Sequence, residues 1–196
     1  MSAGPKPYFT PAQYLERERA AEFRHEYLRG EIFQMAGTSY PHTVITANLV
    51  RRLGNALDGS PCRAVPTDLR VLVSSTGLYT YPDVVIVCGT PEFEDGEFDT
   101  LLNPTVIIEV LSTSTEKYDR GAKFGHYRQI PSFKEYILVA QDRVSVEQFV
   151  RQPDAPWLMT PLENLEDRLK LASVPATLNL TDIYDGITFP EIPRPT

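Results

Sequence analysis

Tyr81-Pro82-Asp83-Val84-Val85-Ile86-Val87-Cys88 and, further along, Val106-Ile107-Ile108-Glu109-Val110-Leu111 are the two stretches whose reading decides the fold. Each is a short run of β-branched and aliphatic residues without polar alternation, the pattern of strands covered on both faces in the middle of an α/β sheet. Each also carries one carboxylate where a buried strand would carry none: Asp83 at the entrance of the first and Glu109 inside the second. An ionised carboxylate in such a place is costly unless it is paired, hydrogen-bonded or bound to a metal. Two of them on neighbouring strands are suited to hold one divalent cation, because hard cations prefer oxygen ligands.

Outward from this pair, the flanking chain reads as alternating helices and strands. Phe9-Thr10-Pro11-Ala12-Gln13-Tyr14 is a helix start, with Thr10 as N-cap, Pro11 in the first turn and Gln13 closing a capping box; the helix is expected to run to about Ala21. Residues 23–28 and 31–36 flank Arg29-Gly30 and read as a β-hairpin. Ser39-Tyr40-Pro41 opens a second helix, whose Ile45, Leu49, Leu53 and Leu57 form one apolar ridge. Residues 62–65 and 68–73 read as strands, after which Ser74–Gly77 is expected to turn the chain straight into the strand at Asp83. The acid-rich segment 89–103 reads as a solvated surface loop. Downstream of Glu109 the spacing predicts a helix over 117–129 and two strands, 133–140 and 143–150, joined at Gln141-Asp142. The segment 187–196, broken by prolines, is expected to be extended or frayed.

The 196 residues fit a single domain, 1–196, with a core over about 10–150 and a C-terminal extension over about 151–196. No apolar run approaches the length of a membrane span, and the N-terminus lacks the apolar centre of a signal peptide. Only two cysteines, Cys62 and Cys88, are present, and a reduced, cytoplasmic protein is the expectation. A net charge of −7 argues against a broad basic face, so any contact with nucleic acid must be local. Three histidines without short ligand spacing argue against zinc, and no nucleotide-binding or serine-hydrolase motif is present.

The order of an Asp after proline and then an acid centred in the next apolar strand resembles the core of the PD-(D/E)XK nucleases. More narrowly, the chain resembles the Uma-two family of restriction endonucleases over about residues 10–150. The pieces that carry the resemblance are Glu26-Tyr27-Leu28-Arg29-Gly30-Glu31-Ile32, His42, Tyr81-Pro82-Asp83-Val84-Val85 and Ile108-Glu109-Val110-Leu111-Ser112-Thr113-Ser114-Thr115. They continue with Asp119-Arg120-Gly121-Ala122-Lys123, Tyr127 and Glu135-Tyr136-Ile137-Leu138-Val139.

The resemblance implies a restriction-endonuclease-like α/β (α+β) core, with a mixed central sheet flanked by helices and an N-terminal helix and hairpin. It implies Mg²⁺ or Mn²⁺ held by Asp83, Glu109 and the carbonyl of Val110, with Glu26 and Lys123 completing the catalytic set. DNA is the implied substrate, and a homodimer a possible assembly. The chain departs from the broader pattern at Leu111, where the motif lysine belongs, and the resemblance assigns that part to Lys123 on the following helix.

The residues alone leave other readings open. Asp83 also fits a strand-start acid, Glu109 a buried ion pair, Lys123 an i,i+4 partner of Asp119, Tyr127 a core aromatic and Glu26 an ordinary hairpin acid with Glu31 as its substitute. His42 fits either a substrate or proton contact or a surface cap. The functions that follow are a metal-dependent endonuclease, a non-catalytic nuclease-fold module for binding or dimerisation, and another divalent-metal phosphohydrolase.

Overall fold

Thr10 caps the first helix, α1 (Pro11–Arg19), in the computed structural model, which describes residues 7–66 and 68–189. The Thr10 hydroxyl accepts from the Gln13 amide at 3.3 Å and the Gln13 side chain accepts from the Thr10 amide at 2.9 Å, so the capping box is closed. Tyr14 leaves the inner face of α1 to stack on Tyr27, with ring centroids 5.0 Å apart, and so packs the helix on the hairpin β1 (His25–Leu28) and β2 (Glu31–Gln34). The hairpin turns through Arg29 and Gly30, both at positive φ, the conformation a two-residue turn of this hand requires.

The second helix, α2 (Tyr40–Ala56), begins at the Ser39 cap and buries Ile45, Leu49 and Leu53 on one face. After it come β3 (Cys62–Pro66), β4 (Arg70–Val73), β5 (Leu78–Thr80), β6 (Val84–Cys88), β7 (Thr100–Leu101) and β8 (Val106–Leu111). A broken helical run follows: α3 (Glu116–Tyr118), a π turn (Asp119–Lys123) and α4 (Phe124–Tyr127). The chain then forms β9 (Glu135–Ala140), β10 (Val146–Val150), β11 (Leu158–Leu162), β12 (Arg168–Lys170), β13 (Thr177–Asn179) and α5 (Leu180–Ile183).

Six strands form the central sheet in the order β11-β10-β9-β8-β6-β3, with β8 and β9 parallel and the other neighbours antiparallel. Its middle strands are buried along their length except at Cys88, the last residue of β6, as their composition requires. Val84, Ile86, Val106, Ile108 and Val110 meet the α2 ridge on one face. Val85, Val87, Ile107, Leu111 and Leu138 meet Tyr127, Phe133 and Tyr136 on the other. This period-two division puts even and odd positions of β8 on opposite faces.

Three sequence expectations are corrected. Ser74–Gly77 does not lead into the acidic strand. It closes a hairpin between β4 and β5, and β5 pairs with β1 in a separate sheet of order β2-β1-β5-β4-β7. Three residues are too few to show a periodic signal, and Pro82 just beyond makes the segment read as loop. The acid-rich segment is not simply solvated: Arg19 binds Asp95 at 2.7 Å and Asp99 at 2.8 Å, Arg70 binds Asp99 at 2.9 Å, and Leu101 is buried in β7. The cysteines are not free thiols. Cys62 and Cys88 stand opposite each other in β3 and β6, with Cα atoms 4.0 Å apart, and form a disulfide.

The later strands close over the sheet around Glu135. Its fully buried carboxylate accepts from Gln148 at 2.6 Å and from the amides of Ala172 and Ser173, so a buried charge is matched by fixed donors. Asn48 on α2 donates to the carbonyls of Ile183 and Asp185, which holds α5 against the central helix. Phe189 packs on Tyr184; the remainder of the expected frayed terminus, 190–196, lies outside the described residues.

Three outcomes are expected. The disulfide closes a loop across a sequence separation of 26, so Cys88→Ser should lower unfolding stability by about 2–4 kcal/mol in chemical denaturation. Alkylation without reductant should leave the wild-type mass unchanged. Asp99 is held well below the usual carboxylate range, first by its hydrogen bond to Arg19 and then by Thr100 and Arg70, against the opposing effect of burial. A depressed acid contributes stability above its unfolded pKa and loses it as pH falls through the folded value. Asp99→Asn should therefore lower the melting temperature at neutral pH, and that difference should begin to shrink as pH falls below about 4 and close only below the depressed folded value.

Candidate active site

The antiparallel pairing of β6 with β8 sets Val84 opposite Ile108, so the residue just before β6 comes level with Glu109. Asp83 is that residue. Its amide donates to Glu109 Oε2 at 3.4 Å, and its own Oδ2 accepts from the Val110 amide at 2.7 Å. The same Oδ2 lies 3.2 Å from His42 Nε2, which reaches it from the first turn of α2. The two acids thus share one end of the central sheet, and Asp83 is fixed by a backbone donor and an imidazole.

Glu109 faces the helical side. Its Oε1 accepts from the Lys123 ammonium at 2.9 Å and from the Tyr127 hydroxyl at 2.8 Å. Lys123 is only 5% exposed and also lies 3.4 Å from Asp119 and 3.5 Å from Glu26. Glu26 arrives from β1, where Thr80 of β5 donates to it, so the second sheet contributes its own acid. Glu31, the alternative upstream acid, stands at the hairpin's turn opposite Leu28.

The π turn brings the helical residues together. A π turn is wider than an α turn and frees backbone groups locally. Here the Tyr136 hydroxyl donates to the Asp119 carbonyl at 3.1 Å, while the side chains of Asp119 and Lys123 are both buried toward the sheet.

Four carboxylates (Glu26, Asp83, Glu109 and Asp119) therefore surround one ammonium and one imidazole. Burial pushes the Glu109 carboxyl up, to about 8, with Asp119 and Asp83 adding to the rise and Lys123 opposing it. Burial also raises Asp119. For Lys123, burial works to lower the value, but the carboxylates of Glu109, Glu26 and Asp119 hold it well above the ordinary lysine range. The ammonium is the charge the pocket keeps, and the acids carry the excess.

This cluster forms the floor of a cleft of roughly 520 Å³, lined by Glu26, Asp83, Glu109, Val110, Asp119 and Lys123. Among the described residues no group of three or more His, Cys, Asp or Glu is arranged to hold a metal ion. What the centre offers is a pair of carboxylates with the main chain of Val110 beside them, an all-oxygen donor set with surplus negative charge. That chemistry fits a hard divalent cation.

Glu26, His42, Asp83, Glu109, Val110, Lys123 and Tyr127 meet here, while Glu31 stays at the hairpin's turn. Tyr127 is both a buried aromatic and a hydroxyl partner of Glu109, and Lys123 has both its helical partner Asp119 and the strand acid. Sequence reading missed the structural parts of Thr80 and Tyr136. Nothing local marks Thr80, since its strand was not recognised; Tyr136 sits in a run that reads only as core.

Comparison with known proteins shows the family and the fold. The chain belongs to the Uma2 family, described as "Putative restriction endonuclease", whose profile matches residues 11–182. Two uncharacterized proteins of Synechocystis sp. (strain ATCC 27184 / PCC 6803 / Kazusa) are similar along most of their length. One, slr1290, is 35% identical, covering 95% of this chain and 97% of its own. The other, sll1609, is 38% identical, covering 80% and 90%. The solved structure of "a putative nuclease belonging to DUF820" from Anabaena variabilis ATCC 29413 superposes with a TM-score of 0.71 at 18% identity, over 90% of this chain and 97% of that one. The fold is the restriction-endonuclease-like mixed α/β architecture.

Removing the ammonium leaves Glu109 buried beside two other acids. Lys123→Ala should cost about 3–5 kcal/mol of unfolding free energy. The double variant Lys123→Ala/Glu109→Gln should recover part of that loss, as measured by denaturant titration.

Proposed function

We propose that this chain is a metal-dependent endonuclease, a single domain that hydrolyses phosphodiester bonds in DNA. The observation that carries the reading is the buried set at the cleft floor, in which Asp83 and Glu109 lie level on adjacent strands with Lys123 2.9 Å from Glu109. Asp83, Glu109 and the carbonyl of Val110 would hold Mg²⁺ or Mn²⁺. Such an ion, when bound, supplies an activated water and neutralises charge on the attacked phosphate.

The protein's own groups have distinct tasks. The Val110 amide and His42 hold the Asp83 carboxylate in one orientation. Tyr127 does the same for Glu109, and Glu26 and Asp119 restrain the ammonium from its other sides. Lys123 provides a fixed positive charge where negative charge grows on the phosphate; because it is already in place, no reorganisation is needed as the reaction proceeds. The lysine that the nuclease pattern places within the strand is supplied here from the π turn.

Two observations favour a second reading. The net charge of −7 and an already paired Lys123–Glu109 also suit a non-catalytic nuclease-fold module. Calorimetric titration with Mn²⁺ separates the two, run beside plasmid nicking at the same ion concentrations. Wild type should bind the ion and nick DNA. Glu109→Ala and Asp83→Asn should each lose at least the roughly 10–100-fold in metal affinity seen when even outer partners of a metal site are removed. Metal affinity unchanged by both substitutions would overturn the enzyme reading.

A further inference from the structure

A second and larger cleft, of roughly 880 Å³, opens beside the acidic one. Asp83 and His42 line both, and so does the segment 34–38 that follows the hairpin. The larger cleft is walled by Phe23, Met35 and the α2 residues Ala47 and Val50, with Arg51 at its edge. Phe23 is 59% exposed there, and Phe33, which lines the acidic cleft, is 46% exposed. Two exposed aromatic rings therefore line two clefts that share Asp83, His42 and residues 34–38 as a common wall.

We propose that these adjoining clefts take a single strand of DNA, or a strand locally unpaired, with the bases that flank the scissile phosphate resting on Phe23 and Phe33. The inference rests on the endonuclease reading for the position of the phosphate and adds the form of the substrate. Bases in a duplex are stacked and paired with one another, so only an unpaired base can enter a side cleft and present its face to an aromatic ring.

Charge supports the same choice. Duplex binding draws most of its affinity from cations set against the phosphates of both strands. This chain has 19 Lys and Arg against 26 Asp and Glu, and the cations that line the two clefts are Arg24, Arg51 and the buried Lys123. A single strand presents fewer phosphates to neutralise than a duplex, and stacking adds affinity from the ring face itself.

The test uses the full chain and a labelled 20-nucleotide single strand, its duplex of the same sequence, and anisotropy in EDTA to prevent cleavage. The single strand is expected to bind at least about tenfold more tightly than the duplex, and Phe23→Ala and Phe33→Ala are each expected to weaken single-strand binding about tenfold. Phe23→Trp should retain it. Ala47→Glu, on the exposed face of α2 within the cleft, should weaken it independently of either ring. Equal or tighter duplex binding, no binding to either, or single-strand affinity indifferent to all three disruptive substitutions overturns the inference.

Cleavage with Mn²⁺ is scored separately. Cutting of duplex alone refutes the single-strand track and leaves the endonuclease reading intact. Phenylalanine-dependent strand binding without cleavage of any DNA refutes the endonuclease reading and upholds the track.

Discussion

A lysine ammonium withdrawn from water and placed among three carboxylates, with a fourth adjoining, is the constraint on which this molecule is organised. Lys123 touches Glu109, Asp119 and Glu26, and Asp83 adjoins Glu109 across the sheet. Burying charges in this way is expensive, and their mutual attraction repays the cost only where geometry is good and remaining lone pairs find donors. The surrounding parts supply those donors: the Tyr127 hydroxyl to Glu109, the Val110 amide to Asp83 and Thr80 to Glu26. The cluster still carries more negative than positive charge, which is the property a cation site needs before its ion arrives.

Each acid comes from a different part of the fold. Asp83 and Glu109 are brought level by the antiparallel register of the central sheet, and Glu26 comes from the second sheet. Asp119 and Lys123 come from a π turn, where one wide turn aligns two residues that an even α-helix would space differently against the sheet. The same convergence explains why the site sits in a groove. Two sheets and the start of α2 meet at this end without filling the space between them, and the cleft over the acids shares Asp83, His42 and residues 34–38 with the apolar cleft walled by Phe23.

Much of this was legible before any coordinates. The α1 cap, the hairpin around Arg29-Gly30, the α2 ridge and the two buried strands follow from local rules: a side chain that satisfies a helix end, a turn that needs positive φ, and hydrophobic periods of 3.6 or 2. A carboxylate amid aliphatic residues marked Glu109 for the same kind of reason, since burial without a partner is too costly to be accidental. The three-residue β5 escaped because so short a segment shows no period, and its omission hid both the second sheet and Thr80.

The sequence by itself determined which segments become helix or strand and which charged residues have to find partners, because those are properties of a residue and its near neighbours. Tertiary structure alone decided who the partners are. Cys62 and Cys88 read as separate thiols until the pairing of β3 with β6 set them face to face. Glu26 and Glu31 read alike until the path of β1 carried the first to Lys123 and left the second at the hairpin's turn. Strand register and the phase of a π turn depend on how distant segments pack, and no local pattern encodes them.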